Sequence, residues 1–240
     1  FLGDQPESSG ATTEEMFSSK INAEKVLTKA YTGLPYGLPT GSDYKLGVNI
    51  LESITDLCYS FRDNISDGPV KLYYNGALSA NNVPKNSAYR YGSKSDWTTI
   101  RYAWLYIENV EKVPDMTANE KSERIAEAKV LISLCYFEML RYVGGVTWLD
   151  HYVDVNETMN FPFAETVEKI VGLLNEAINS NLAWKAEKAD DGRMTLAGAM
   201  ALKFKVLQWA ASPTFNSNTK WHPEADEYTC YGNYSDQRWK

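Results

Sequence analysis

The sequence predicts a mainly α-helical chain, a stack of helical hairpins with long irregular loops between them. Three observations predict it. Ile125, Ala128, Ile132, Cys135, Tyr136, Met139 and Val143 form one clean stripe at helical spacing, and shorter stretches repeat that pattern along the chain. Capping residues and breakers stand where such stretches begin and end. The stretch Leu196–Ala211 is apolar on nearly all sides, interrupted only by Lys203, Lys205 and Gln208, which predicts a buried helix packed on more than one face.

The elements follow in order. Phe1 to Ser9 has no periodicity, and Thr12-Thr13-Glu14-Glu15 starts a helical stretch whose face is Ala23, Val26, Leu27, Ala30, Tyr31 and Leu34. Residues 33–41 hold three glycines and two prolines and read as a loop. Ser42 or Asp43 then caps a second helix with Ile50, Leu51, Ile54, Leu57, Cys58 and Phe61 on its face. Residues 62–95 are rich in asparagine, glycine and proline, so they read as a long loop insertion. Tyr73, Tyr74, Tyr89 and Tyr91 lie in it, and that aromatic content argues against disorder.

Asp96 is read as the cap of a third helix, Trp97 to Val113, which Pro114-Asp115 breaks. Thr117-Ala118-Asn119-Glu120 is a capping box in sequence and opens the longest helix, ended by Gly144-Gly145 near Val143. Val146 to Leu149 reads as a turn of strand. A fifth helix follows Pro162 and runs to about Leu182. Thr195 caps the last long helix, and Ser212-Pro213 stops it. Residues 213–240 are an irregular tail that keeps Phe215, Trp221, Tyr228, Tyr231 and Tyr234. The helix pairs imply helical-repeat packing, although they do not align at a fixed period of about 34 residues.

The totals exclude several classes. The net charge of -7, without a lysine or arginine cluster, argues against nucleic acid as a partner. No run of about eighteen apolar residues is present, so no membrane-spanning helix is expected. The chain does not begin with methionine, and the expectation is a processed or trimmed product. Cys58, Cys135 and Cys230 have no metal spacing, and Cys58 and Cys135 read as buried free thiols. His151 and His222 are the only histidines, and no nucleophile elbow, zinc-protease or P-loop motif occurs. No enzyme activity, metal or cofactor is therefore expected. Asp190-Asp191-Gly192 holds only the start of a calcium-loop pattern and reads as a plain turn.

The segment Glu123–Leu149 resembles the signature of the SusD/RagB family of outer-membrane glycan-binding lipoproteins. Glu127-Ala128, Tyr136-Phe137-Glu138-Met139-Leu140 and Gly144-Gly145-Val146 match it. Ser133 stands near a usual arginine and Thr147 at a usual proline. Gly192-Arg193 through Ser212-Pro213 and Phe215-Asn216 is similar to the second strong block of the family. Trp97 to Val110, with Ile107 and Asn109, resembles a third. Phe1-Leu2, Pro6 and Ala23–Leu34 resemble the mature N-terminus that follows the lipidated cysteine, and Asp236–Lys240 resembles the start of the next repeat helix. Asp56 resembles an acidic position that follows the family's second helix, but a solvated surface carboxylate is the favoured reading.

The resemblance implies a single tetratricopeptide-like N-terminal domain over residues 1–240, with the C-terminal part of the family fold missing. It implies a non-enzymatic protein on the extracellular face of the outer membrane, held by an N-terminal lipid not present in this chain. Its partners would be an oligosaccharide or glycopeptide and a TonB-dependent transporter of the SusC type. Glycan binding needs flat aromatic faces for sugar C–H surfaces and amide or guanidinium groups for hydroxyls. Tyr73, Tyr74, Asn75, Tyr89, Arg90, Tyr91 and Trp97 supply that mixture and are the expected ligand-binding residues. Two alternatives stand beside this reading. One is a helical-repeat scaffold that binds only protein, with its aromatics on the concave helix surface. The other is a helical glycoside hydrolase with two carboxylates about 5 to 10 Å apart.

Overall fold

The structure is a computed structural model that describes residues 12–34, 55–57, 94–152 and 160–240. Its helices are α1 (Thr13–Met16), α2 (Lys20–Tyr31), α3 (Lys94–Asn109), α4 (Ala118–Val143), α5 (Phe163–Ile178) and α6 (Leu196–Ala210). Short 3-10 turns lie at Val110–Lys112, Lys188–Asp190 and Asp236–Trp239. Among the described residues the only strand-like pairing is an antiparallel bridge between Thr147 and Asn160. Of the expected second helix only residues 55–57 are described, and there the chain is a bend and turn with Leu57 exposed instead of on a buried face; the rest of that helix and Cys58 lie outside the described residues. The fold is all-α, as the periodicity predicts.

Side-chain caps set most of the helix starts. Thr12 and Glu15 form a capping box at α1, and Thr117 and Glu120 form another at α4. Ser19 caps α2, which splits the first expected helix in two, and Thr195 caps α6. Asp96 is not a cap. The helix begins two residues earlier, at Lys94, and Asp96 lies buried in its first turn. The fifth helix ends at Ile178, four residues short of Leu182, where Asn179 forms its C-cap.

The long helices stack in chain order, each antiparallel to the next. Thr99 in the second turn of α3 donates to the Ala30 carbonyl at the end of α2 (2.6 Å). Lys121 near the start of α4 reaches the Glu111 carbonyl beyond the end of α3. Asn181 after α5 donates to the Asn119 carbonyl at the start of α4. Leu196 N–H donates to the Ala183 carbonyl between α5 and α6 (2.8 Å). Helices one apart in this order run parallel, as Lys20–Glu120 and Glu24–Arg124 show for α2 and α4. The result is a double layer of helical hairpins with α4 in its middle. Tyr106, Tyr136, Phe163, Leu27, Ile100, Leu131, Ile132 and Leu174 fill the core.

A charged cluster locks α2, α4 and the entry to α6. The Glu127 side chain is 0% exposed and accepts from Arg193 Nη1 at both oxygens (3.0 Å), from Arg124 Nη1 (3.1 Å) and from the Tyr31 hydroxyl. Glu24 pairs with both arginines, and Asp190 holds Arg193 Nε (3.2 Å) and Arg124 Nη2 (3.3 Å). Burial pushes the Glu127 carboxyl up from its ordinary value, against the pull of the Tyr31 hydroxyl and the two guanidinium groups. The turn at Asp190-Asp191-Gly192 thus serves as an anchor for arginine.

The helix expected to be buried on all sides is not. In α6 only Ala199, Val206 and Ala210 are buried, while Met200, Phe204 and Leu207 are exposed. The helix packs chiefly on α5, so one flank has no neighbour among the described residues. Composition gives the total apolar content of a helix but not how many neighbours it meets.

Three outcomes test these contacts. Arg193→Met leaves Glu127 buried with two of its four hydrogen bonds, and urea denaturation should show a loss of about 3 kcal/mol; a loss under about 1 kcal/mol would show that water supports the carboxylate. Gly144 has φ 84°, and a Cβ there would strike the Tyr228 carbonyl oxygen, while one at Gly145 would strike that of Phe161. Alanine at either glycine should lower stability by about 2 kcal/mol or more in the same assay. Glu120 is held down to about 2 from 4.5, by its hydrogen bond with Lys20 first and then by Thr117. That stabilisation is complete above pH 4.5 and is lost as the pH falls toward 2. An NMR titration should place the Glu120 midpoint near 2 and show it move back toward 4.5 in Lys20→Ala.

Candidate functional site

Of the expected ligand-binding residues, Trp97 is described; Tyr73, Tyr74, Asn75, Tyr89, Arg90 and Tyr91 lie outside the described residues. Trp97 sits in the first turn of α3 and is partly buried against the core. Its ring meets Tyr136 of α4 edge-on, with centroids 6.1 Å apart and planes at 86°. Tyr136 in turn stacks on Trp148 at 4.0 Å and 19°. One side of Trp97 therefore belongs to the scaffold, and the indole is fixed in orientation before any ligand arrives.

The segment after α4 completes this end. Tyr136 Oη accepts from Leu149 N–H (2.8 Å), and Trp104 Nε1 donates to the Leu149 carbonyl (2.9 Å). Burial pushes the Tyr136 hydroxyl up, so it stays a neutral hydrogen-bonding group. Arg101 donates to the Tyr152 hydroxyl (2.6 Å) and lies over its ring at 5.0 Å. Lys169 of α5 lies over Phe161 (4.4 Å) and Trp148 (5.6 Å). The indole, phenol and cation groups here form a rigid aromatic wall whose polar atoms are mostly engaged within the protein.

The tail divides into packed and open aromatics. Phe215 stacks on Phe163 at 5.1 Å and lies 4.1 Å from Trp209, Tyr231 meets Phe163 edge-on, and Arg238 covers Tyr231 at 3.7 Å. Trp221, Tyr228 and Tyr234 are exposed on the same irregular framework. Tyr234 donates to Asp236 (2.6 Å), and its N–H is held by Asn218 (2.9 Å). Sequence reasoning found all five of these aromatics but had no means of sorting them, since an irregular segment has no periodicity to show which side chain turns inward. It passed over Lys25, Lys29 and Tyr102, which line a groove beside α2, because lysine on a helix reads as a solvated face.

The remaining candidates are accounted for on the surface or in the core. Asp56 is exposed. His151 Nδ1 lies 2.6 Å from Asp150 on an exposed turn, and His222 Nδ1 accepts from Glu224 N–H. Cys135 and Cys230 are buried, and neither forms a disulfide among the described residues. Among the described residues no cluster of histidine, cysteine and carboxylate could hold a metal ion, and no helix is long and apolar enough to cross a membrane.

No family model and no curated relative matches the chain. Solved structures do. A SusD-like protein from Bacteroides fragilis is 20% identical with a TM-score of 0.65, over 84% of this chain and 38% of its own. A laminarin-binding SusD-like protein is 20% identical with a TM-score of 0.63, over 81% and 41%. Surface glycan-binding protein A from Bacteroides uniformis is 18% identical with a TM-score of 0.60, over 83% and 48%. The chain spans less than half the length of these structures. It has the helical-hairpin fold of SusD-like proteins.

Proposed function

We propose that the chain is the N-terminal part of a non-enzymatic surface glycan-binding protein of the SusD/RagB kind. It holds an oligosaccharide or glycopeptide at the extracellular face of the outer membrane and delivers it to a TonB-dependent transporter of the SusC type. A lipid attached ahead of Phe1 anchors it there. The observation that carries this reading is the shared fold, because the similar structures include one named for laminarin binding and one named as a surface glycan-binding protein. The pinned Trp97 adds to it: an indole locked edge-on against Tyr136 follows in sequence just after the tyrosine-rich stretch 62–95.

In this reading the helical stack is chemically silent, and recognition falls to Tyr73, Tyr74, Asn75, Tyr89, Arg90, Tyr91 and Trp97. Aromatic faces cover sugar C–H surfaces, while Asn75 and Arg90 meet hydroxyls. A protein-only scaffold has one observation in its favour, the open flank of α6 with Met200, Phe204 and Leu207 at i, i+4 and i+7.

Calorimetric titration with laminarihexaose and a glycan array separates the two. Alanine at Tyr73, Tyr74 or Tyr89 should weaken binding of the best array ligand about tenfold, since a lost ring contact is worth about 1 kcal/mol or more. Unchanged affinity in all three variants removes the 62–95 stretch from the site. No saccharide bound anywhere on the array overturns the proposal in favour of the scaffold.

A further inference from the structure

A groove of about 660 Å³ runs between α1–α2 and α3, away from Trp97. Its floor is Met16, Val26 and the half-buried ring of Tyr102. Its rim is one face of α2, where Asn22, Lys25 and Lys29 stand at i, i+3 and i+7. Lys25 donates to the Asn22 side-chain oxygen (3.1 Å), which holds one ammonium group over the opening. The Lys29 ammonium group and the Tyr102 hydroxyl have no hydrogen-bond or ion-pair partner among the described residues. The acid at the edge, Glu15, is already bound at the Thr12 N–H (2.8 Å), within its capping box.

We propose that this groove receives a sugar unit bearing a carboxylate or sulfate group. The inference rests on the reading of the protein as a saccharide binder and names a second ligand class for it. A floor of thioether, valine and phenol suits the flat C–H face of a pyranose ring. The two ammonium groups lie one helical turn apart, the spacing at which both reach one anionic substituent. The Tyr102 hydroxyl remains for a ring hydroxyl, whereas the Asn22 amide is engaged with Glu15, Ser18 and Lys25 and serves to position the Lys25 ammonium. The protein carries a net charge of -7, so general attraction does not bring an acidic saccharide to its surface, and only a local pair of cations selects one.

The experiment titrates hexagalacturonate, a sulfated chondroitin hexasaccharide and neutral laminarihexaose into the protein and into the double variant Lys25→Gln/Lys29→Gln. Both lysines are exposed, and circular dichroism should show the variant folded as the parent. The expected result is binding of at least one acidic probe, weakened about tenfold by the double substitution, as for the loss of charge-assisted hydrogen bonds. Salt should weaken that binding in the parent and much less in the variant. Tyr102→Ala should weaken the same probe, and laminarihexaose affinity should stay the same in every groove variant. Equal affinity for the acidic probes in parent and double variant overturns the proposal, as does binding of laminarihexaose with no binding of either acidic probe. Failure of all three probes also overturns this proposal; each of these results leaves the wider reading standing, which falls only if no saccharide on the glycan array binds.

Discussion

Glu127 is the constraint on which the arrangement depends. A fully buried carboxylate is costly unless each of its oxygens is answered, and here the answers come from three places in the chain: Tyr31 at the end of α2, Arg124 one turn earlier on α4, and Arg193 ahead of α6. The Tyr31 hydroxyl also accepts from Met194 N–H (2.9 Å), so it joins the carboxylate to the backbone that leads into α6. Sliding α2 along α4 by one turn would strand Glu127 and separate Glu24 from both arginines. Apolar packing tolerates many registers, and this cluster selects one.

With that register fixed, the antiparallel stack sets where each end of a helix emerges. The starts of α3 and α5 and the end of α4 come to the same edge, since consecutive helices reverse direction. Trp97, Tyr136, Trp148, Phe161 and Lys169 meet there. The tail returns to that edge and seals Phe163 beneath Phe215 and Tyr231. Rigid hairpins thus present their aromatic groups at one rim, while the flat sides of the stack carry charge pairs such as Lys129–Glu176 (2.6 Å).

Much of this was legible in the sequence where a local rule governs. The capping box at Thr117 and the stripe from Ile125 to Met139 gave the start and inner face of α4, because both depend on residues three or four apart. Asp96 misled because an acid before an apolar run reads as a cap, while its actual place is a buried one inside the first turn of α3. The all-round apolar character of α6 suggested burial, yet the number of neighbours around a helix is a property of the assembly, not of the helix. Glu127 stood out only as part of a motif; that Arg193 lies against it follows from a contact 66 residues apart, which no spacing rule reaches. For the site, Trp97 was recognisable as an aromatic beside a loop, and its fixed pose against Tyr136 was not.

Beside its aromatic packing, the tail is gripped at the end of α4 and the start of α5 by main chain. Gly145 N–H donates to the Tyr228 carbonyl and Phe163 N–H to the Glu227 carbonyl (2.8 Å), with Gly144 and Gly145 leaving the room. No side chain at 227 or 228 takes part in that grip. Sequence drift at 227 and 228 is therefore free to reshape the exposed surface without unseating that grip, and the price of that evolvability falls on two glycines more than eighty residues upstream.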